Sequence, residues 1–375
     1  MISYRAESYH LTCHCCIFIL LMGRRNWKLK LCASNPENSC CARFVVRNIM
    51  RIRAFKTLLT LPMLFVMLYA QAAKPGASDE AIRLFSTEQY RASIEESDRV
   101  LKSDPTDTEA LNVKALAVSM LGDDQAAIRL VTQALEIVKK DGQASITQQA
   151  NYWNNLGYFN ERQRNYQVAI SCHEKALKMR LSAFGADNLQ TADSYNNLGT
   201  TLSKLGRYDE AFDNLRKNLA LRKRLSGERD HSVAVALNNL GNAYNLQGDY
   251  KASLPLFQQA LDIDAPLYGV QHPVIAVRWN NIGDAYRGLG QYDQAEVFLT
   301  KALNSDLASF GENHPKVSLR YFNLAKIYEA QGDKLKARAA YAKALQIVRN
   351  VDPEDAGQIQ YFEAKLRELG AKSGA

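Results

Sequence analysis

Three groups of side chains in this sequence have types and spacings that could do chemistry. His10, Cys13, His14, Cys15 and Cys16 are ligands of the kind zinc takes, with Cys40 and Cys41 the nearest second half. Their spacing is too tight for one tetrahedral site, so no metal site is expected. Cys172 and His173 set a nucleophile beside a base. Neighbouring helical residues point about 100° apart, so no thiolate–imidazole couple is expected. The third group is a set of asparagines: Asn154-Asn155, Asn196-Asn197, Asn238-Asn239 and Asn280-Asn281, then Asn323 after Phe322. An Asn amide offers two donors and an acceptor, so it can bond the N–H and C=O of one peptide unit. A row of such amides could hold an extended chain by its backbone, with little preference for its sequence.

These asparagines recur because the chain repeats. N-N-L-G stands at Asn154–Gly157, Asn196–Gly199 and Asn238–Gly241, then N-N-I-G at Asn280–Gly283 and F-N-L-A at Phe322–Ala325, in steps of 42 residues. Tyr166, Tyr208, Tyr250 and Tyr292 keep the step, with Lys334 in the fifth place. So do Ala169, Ala211, Ser253, Ala295 and Ala337; Leu177, Leu219, Leu261, Leu303 and Leu345; and Gly185, Gly227, Gly269 and Gly311. Two degenerate units precede them, marked by Tyr90, Ser93, Asp124, Ala127 and Leu135, which makes seven units from about residue 78 to 352.

Each unit reads as two helices. In the fifth, Val235, Leu237, Leu240, Ala243 and Tyr244 form an apolar stripe at helical spacing, and Gln247-Gly248-Asp249 ends it. Leu254, Phe257, Ala260, Leu261 and Ile263 form the second stripe, and Gly269 with His272-Pro273 starts the next unit. Gly157, Gly199, Gly241 and Gly283 fall in mid-helix, where Gly costs about 1 kcal/mol relative to Ala. Their repeated use predicts two helices in close approach, with the alanines of the second helix at the same crossing. Residues 354–369 read as a last amphipathic helix that caps the array. Such units bury their apolar faces only against neighbours, which predicts a solenoid.

The columns L-G-x-x-Y, G-x-Y, A and A-L resemble the tetratricopeptide repeat. The 42-residue step and the closing segments Tyr268–Pro273 and Phe310–Pro315 resemble its kinesin-light-chain-type variant. The resemblance implies an all-α fold, a right-handed superhelical α-solenoid of antiparallel helix pairs. It covers about 275 residues and is specific for fold, much less so for function. Units one and two lack N-N-L-G, and Asp124 and Lys334 replace the usual Tyr. Nothing resembles a heavy-chain-binding coiled coil, so no motor role is implied.

The first 72 residues differ from the rest. Of 47 basic residues ten lie there, and of 39 acidic residues two, which leaves 37 of each in 73–375. The formal net charge of +8 therefore does not lie on the repeats, and no nucleic-acid partner is expected. Six of seven cysteines also lie there, which leaves Cys172 without an internal disulfide partner. Met50–Lys56 is basic, Thr57–Tyr69 is apolar, and Ala70 and Ala72 are small, in the order of a secretory signal peptide cleaved after Ala72. The run is shorter than the ~20 apolar residues of a permanent anchor. A bacterial periplasmic or secreted location follows, with a tether through 57–70 as the alternative, and Met50 as the expected native start. Residues 1–49 then form a doubtful extension, expected to be unstructured or untranslated, ahead of a signal segment 50–72, repeats 73–352 and a capping helix and tail 353–375.

In the family that the repeats resemble, the first helix of each unit lines the concave face. The resemblance then places Asn155, Asn197, Asn239, Asn281 and Asn323 in that groove, similar to the asparagine ladder of O-linked N-acetylglucosamine transferase. Asn154, Asn196, Asn238 and Asn280 add side-chain contacts, or bond between units. One turn on lie Tyr158, Thr200, Asn242, Asp284 and Lys326, then Glu161, Ser203, Asn245, Arg287 and Glu329. Arg287 and Lys326 are the candidates to engage an acidic group, and Val235, Val277, Leu319 and Phe322 to give apolar contacts. No P-loop, G-x-S-x-G or H-E-x-x-H occurs in 73–375, so no catalytic residues and no cofactor are assigned. The expected function is a non-enzymatic scaffold for a protein or peptide ligand. The alternative is a structural subunit of an envelope complex that makes contacts through its convex face or ends. Membrane contact is expected only through an uncleaved N-terminal segment.

Overall fold

The computed structural model describes residues 8–13, 16–22, 27–32, 76–142 and 144–370. The signal segment 50–72 and Cys40-Cys41 lie outside them. Within the first compact unit, strands β1 (Ser8–Cys13), β2 (Cys16–Met22) and β3 (Trp27–Cys32) pair antiparallel in that order, Ser8 opposite Leu21 and Ile17 opposite Cys32. No regular structure is expected there from the sequence. The signal is the alternation of apolar and basic residues in W-K-L-K-L.

From residue 79 onward the described chain is helical. The first two pairs are α1 (Asp79–Ser86) with α2 (Tyr90–Ser103) and α3 (Thr108–Met120) with α4 (Asp124–Asp141). Next come α5 (Ile146–Arg162) with α6 (Tyr166–Phe184) and α7 (Leu189–Leu205) with α8 (Tyr208–Ser226). Then follow α9 (His231–Gln247) with α10 (Tyr250–Tyr268), α11 (Pro273–Gly288) with α12 (Tyr292–Phe310), and α13 (Pro315–Gln331) with α14 (Lys334–Val351). A single helix, α15 (Ala356–Gly370), ends the array.

Local chemistry sets the ends. Ser145, Asn188, Asp230, His272 and His314 cap the first helices of units three to seven with a side-chain acceptor. Gly248 stops α9 at φ 90°, a conformation that costs any side chain strain. Arg164 stands at the corresponding place in unit three and adopts φ 61°.

The close approach predicted at the mid-helix glycines is present. A Cβ on Gly241 would fall 2.7 Å from the Phe257 ring, and one on Gly199 2.7 Å from Leu215 and 3.0 Å from the Ala211 carbonyl. Ala169, Ala211, Ala260 and Ala295 are fully buried. The core is a chain of small clusters strung along the junctions, with no single centre. Phe362 of α15 closes the last of them, against Tyr341, Leu345 and Val348.

Each first helix touches the next first helix, whereas among the described residues no second helix packs on another second helix. The spacing is therefore tighter on the first-helix side, and the array curves with those helices inside.

Candidate functional site

The inner face is read from exposure along one first helix. In α5 Asn151, Asn154, Tyr158 and Glu161 are half-exposed and lie three or four residues apart, so they share one face. Two rows continue it along the array. One runs through Asn151, Asp193, Val235, Val277 and Leu319, the other through Tyr158, Thr200, Asn242, Asp284 and Lys326, and every member is half-exposed or exposed.

Between these rows the asparagine amides bond one another. Asn155 Nδ2 donates to Asn112 Oδ1 at 2.8 Å, Asn197 to Asn154 at 2.7 Å, Asn239 to Asn196 at 2.8 Å, Asn281 to Asn238 at 2.7 Å and Asn323 to Asn280 at 2.8 Å. Each rung links the second Asn of one unit to the first Asn of the unit before. The second column, expected to meet a ligand backbone, thus also bonds between units. One N–H of each second-column amide, and the oxygen of each first-column amide, is committed to the neighbouring unit, because touching first helices bring the two amides within reach. Asn112 was missed in the sequence, although it lies 42 residues before Asn154. The ladder ends where Phe322 replaces the first Asn and Lys365, two positions of that step on from Asn281, replaces the second.

Asn196 is a hub. Besides Asn239 it accepts from Asn218 Nδ2 at 3.3 Å, and Asn218 Oδ1 accepts from Arg222 Nε at 2.7 Å. Other groove polar groups are also engaged locally. Glu161 accepts from Thr201 Oγ1 and Lys204 Nζ, both at 2.5 Å. Glu329 accepts from Tyr341 at 2.5 Å and Lys365 at 3.1 Å, and Asn245 accepts from Ser253. Arg287 binds Asp284 through Nε at 2.9 Å and Nη2 at 2.7 Å, so it is already paired. Lys326 Nζ sits 4.6 Å from the centre of the Phe322 ring. Burial pushes its ammonium below the ordinary lysine range, with Asp284 pulling the other way.

The junction histidines cap or pair. His272 Nδ1 accepts from Val274 N at 3.3 Å and His314 Nδ1 from Lys316 N at 3.2 Å. Each stacks on the aromatic ring at the end of the preceding helix, Tyr268 at 4.7 Å and Phe310 at 4.3 Å. His231 Nδ1 lies 2.8 Å from Asp264 Oδ1. Cys172 and His173 are both buried. Burial pushes the thiol up to about 11 and the imidazole down to about 4, so the pair is a neutral thiol beside a neutral ring. Among the described residues no group of three or more His, Cys, Asp or Glu side chains forms a metal site.

The structure also shows buried charges that the sequence reading passed over. Arg278 binds Asp264 Oδ2 at 2.9–3.0 Å, and Arg320 Nε binds Asp306 Oδ2 at 2.9 Å, all four being about 5% exposed or less. Arg180 donates to the Gln190 carbonyl, Ser194 and Asn151 at 2.8–3.0 Å, and Arg222 pairs with Asp193. Burial lowers the Arg180, Arg278 and Arg320 guanidinium values and raises the Asp193 and Asp306 carboxyls. Their signal was the same step: 180, 222, 264 and 306 form one column.

Stacked helix pairs with an amide ladder along the first helices define a repeat solenoid. The Tetratricopeptide repeat pattern matches residues 148–224, 194–265, 232–308 and 275–350, and the chain belongs to that family. It is similar to the crystal structure of BtubC (BKLC) from P. vanneervenii at 24% identity, over 62% of this chain and 92% of that one, with a TM-score of 0.49. A putative kinesin light chain from Podosopora anserina with nearly identical TPR-like repeats matches at 18% identity, over 56% and 98%, with a TM-score of 0.48. A Rap protein complexed with Competence and Sporulation Factor matches at 15% identity, over 78% and 84%, with a TM-score of 0.56. No curated protein matches the chain.

Proposed function

We propose that the chain is a non-enzymatic scaffold that takes an extended peptide or protein segment along its first helices, in the periplasm or outside a bacterial cell. The observation that carries this is the inner face itself. First helices adjoin, second helices do not, and two rows of half-exposed side chains run unbroken from α5 to α13. In the row from Tyr158 to Lys326, Thr200 bonds the Asn196 carbonyl, Asp284 pairs with Arg287 and Lys326 lies over Phe322, so the row offers weak and general hydrogen bonding. The row that starts at Asn151 turns apolar at Val235, Val277 and Leu319, and apolar burial there supplies the larger share of affinity. The Rap protein's complex supports ligand binding at the level of fold. The order of Met50–Ala72 supports export.

The test is capture of peptides from an envelope extract by the full chain and by Val235→Asp with Val277→Asp. Loss of the captured set in the double variant, with an unchanged melt, supports the groove. An identical set from both chains overturns it. Asn197→Ala with Asn239→Ala is now expected to lower the melting temperature more than the affinity, because those amides bond between units.

A further inference from the structure

The last junction of the solenoid lacks a piece that the two junctions before it possess. Where α10 ends, Tyr268 stacks on His272 and lies edge-on to His231; where α12 ends, Phe310 stacks on His314. One 42-residue step further, Asp352 stands in the place of the aromatic ring and Ala356 in the place of the histidine. A cavity of about 290 Å³ opens there between α13, α14 and α15. Leu319, Phe322, Ile347 and Phe362 line it, with Asp352 and Asp355 also in its wall. Leu319 is 46% exposed, so the cavity is continuous with the apolar end of the groove.

The chain's own junctions show what such a corner takes, namely a flat aromatic ring. The charges around it show what must flank the ring. Asp352, Glu354 and Asp355 fall within four residues. Asp355 caps α15 by accepting from Gln358 N at 2.9 Å and from Gln358 Nε2 at 2.5 Å, while Arg349, the nearest cation in sequence, is held by Glu363 at 2.6 Å. We propose that this pocket docks an aromatic side chain of a partner segment with lysine or arginine beside it. The ring fills the place that Tyr268 and Phe310 fill at the earlier junctions, and the basic neighbours meet Asp352 and Asp355. The inference deepens the scaffold reading and rests on it for the partner being a protein segment.

The experiment uses the full chain and three labelled peptides read by fluorescence polarisation: a Phe flanked by Lys, the same Phe flanked by Glu, and an Ala flanked by Lys. The first should bind at least about tenfold more tightly than the other two. Asp352→Asn with Asp355→Asn, which keeps the helix cap, should erase the preference for Lys over Glu. Asp352→Phe restores the ring of the earlier columns, so it should fill the pocket and abolish binding of the Phe peptide. Val277→Asp tests the groove independently. Binding of the Phe peptide that survives Val277→Asp and is lost in Asp352→Phe supports the pocket even if the groove takes nothing. Equal binding of all three peptides, or binding unchanged in Asp352→Phe, overturns it.

Discussion

At the junctions that close the third and fourth units the second helix brings an arginine, Arg180 or Arg222, to a spot held one and two units later by Asp264 and Asp306. The partners move with the charge. Arg222 pairs with Asp193, on the first helix of its own unit, and Arg180 reaches Asn151 in the same way while also bonding Ser194 and the Gln190 carbonyl of the next unit. Asp264 and Asp306 instead pair across the junction, with Arg278 and Arg320 on the next first helix. At both ends of the array the spot is apolar: Val138 and Tyr152 at one, Val348 and Phe362 at the other. The difference teaches where charge can be stored. In the earlier half the pairing group occupies the groove edge, so that edge is polar at Asn151 and Asp193. In the later half the pair withdraws into the junction, and the same edge positions become Val235, Val277 and Leu319. An apolar groove edge and a buried salt bridge are two results of one exchange.

The largest expected effect breaks the later half. Arg278→Met leaves Asp264 fully buried against His231 and without its guanidinium, and removal of one partner of a buried pair costs about 3–5 kcal/mol. The matching change in the earlier half, Asp193→Ala, leaves Arg222 bonded to Asn218 and costs about 1.5–3 kcal/mol. Urea denaturation of both variants measures the gap, and equal losses would erase the distinction between the halves.

A second change asks whether the charges are needed at all. Asp264→Val with Arg278→Phe copies the end junction, where Val348 meets Phe362. Replacement of a buried pair by well-packed apolar residues is often neutral or stabilising by about 1–4 kcal/mol. Stability at or above that of the parent is expected. A loss as large as that of Arg278→Met would show that the site cannot repack.

The third effect lies in the earlier half, at its most buried histidine. His173 stands where Leu215, Phe257 and Leu299 stand in later units. Burial holds its imidazole down at about 4, against about 6.5 in an unfolded chain. Between those values the unfolded chain binds a proton that the folded chain refuses. Stability is therefore complete above pH 6.5 and falls as pH drops towards 4, by up to about 1.4 kcal/mol per pH unit. His173→Leu should flatten that slope between denaturation curves at pH 4.5 and 7, and the Gly157 side accepts Leu as Gly199 accepts Leu215. An unchanged slope would assign the acid sensitivity to other groups.

How much of this was legible follows from what a repeat step can carry. The helix pairs were, because Tyr166, Gly185 and their columns keep one chemistry through four successive units. The two asparagine columns were also visible, but not their direction. A column says that its members line up. It does not say that touching first helices place Asn197 within 2.7 Å of Asn154, 43 residues away. The buried charges were harder still, since the column 180, 222, 264, 306 changes sign midway and reads as variation. The corner at Asp352 escaped for the same reason: an absent ring leaves no motif to find.

The smallest effect sharpens the comparison most. In the earlier half the ladder and the charge pair share a member, because Asn196 accepts from Asn218 and Asn218 accepts from Arg222. In the later half no bond joins Asn238 to the Asp264–Arg278 pair among the described residues. Residues in one network show coupling of about 0.5–3 kcal/mol in a double-mutant cycle, whereas independent sites add to within about 0.3–0.5 kcal/mol. The cycle of Asn196→Ala with Arg222→Met should therefore show coupling, and Asn238→Ala with Arg278→Met should be additive. Coupling of the same size in both cycles would mean that ladder and charges act as one system along the whole array, and the exchange between the halves would then be a change of sign without a change of wiring.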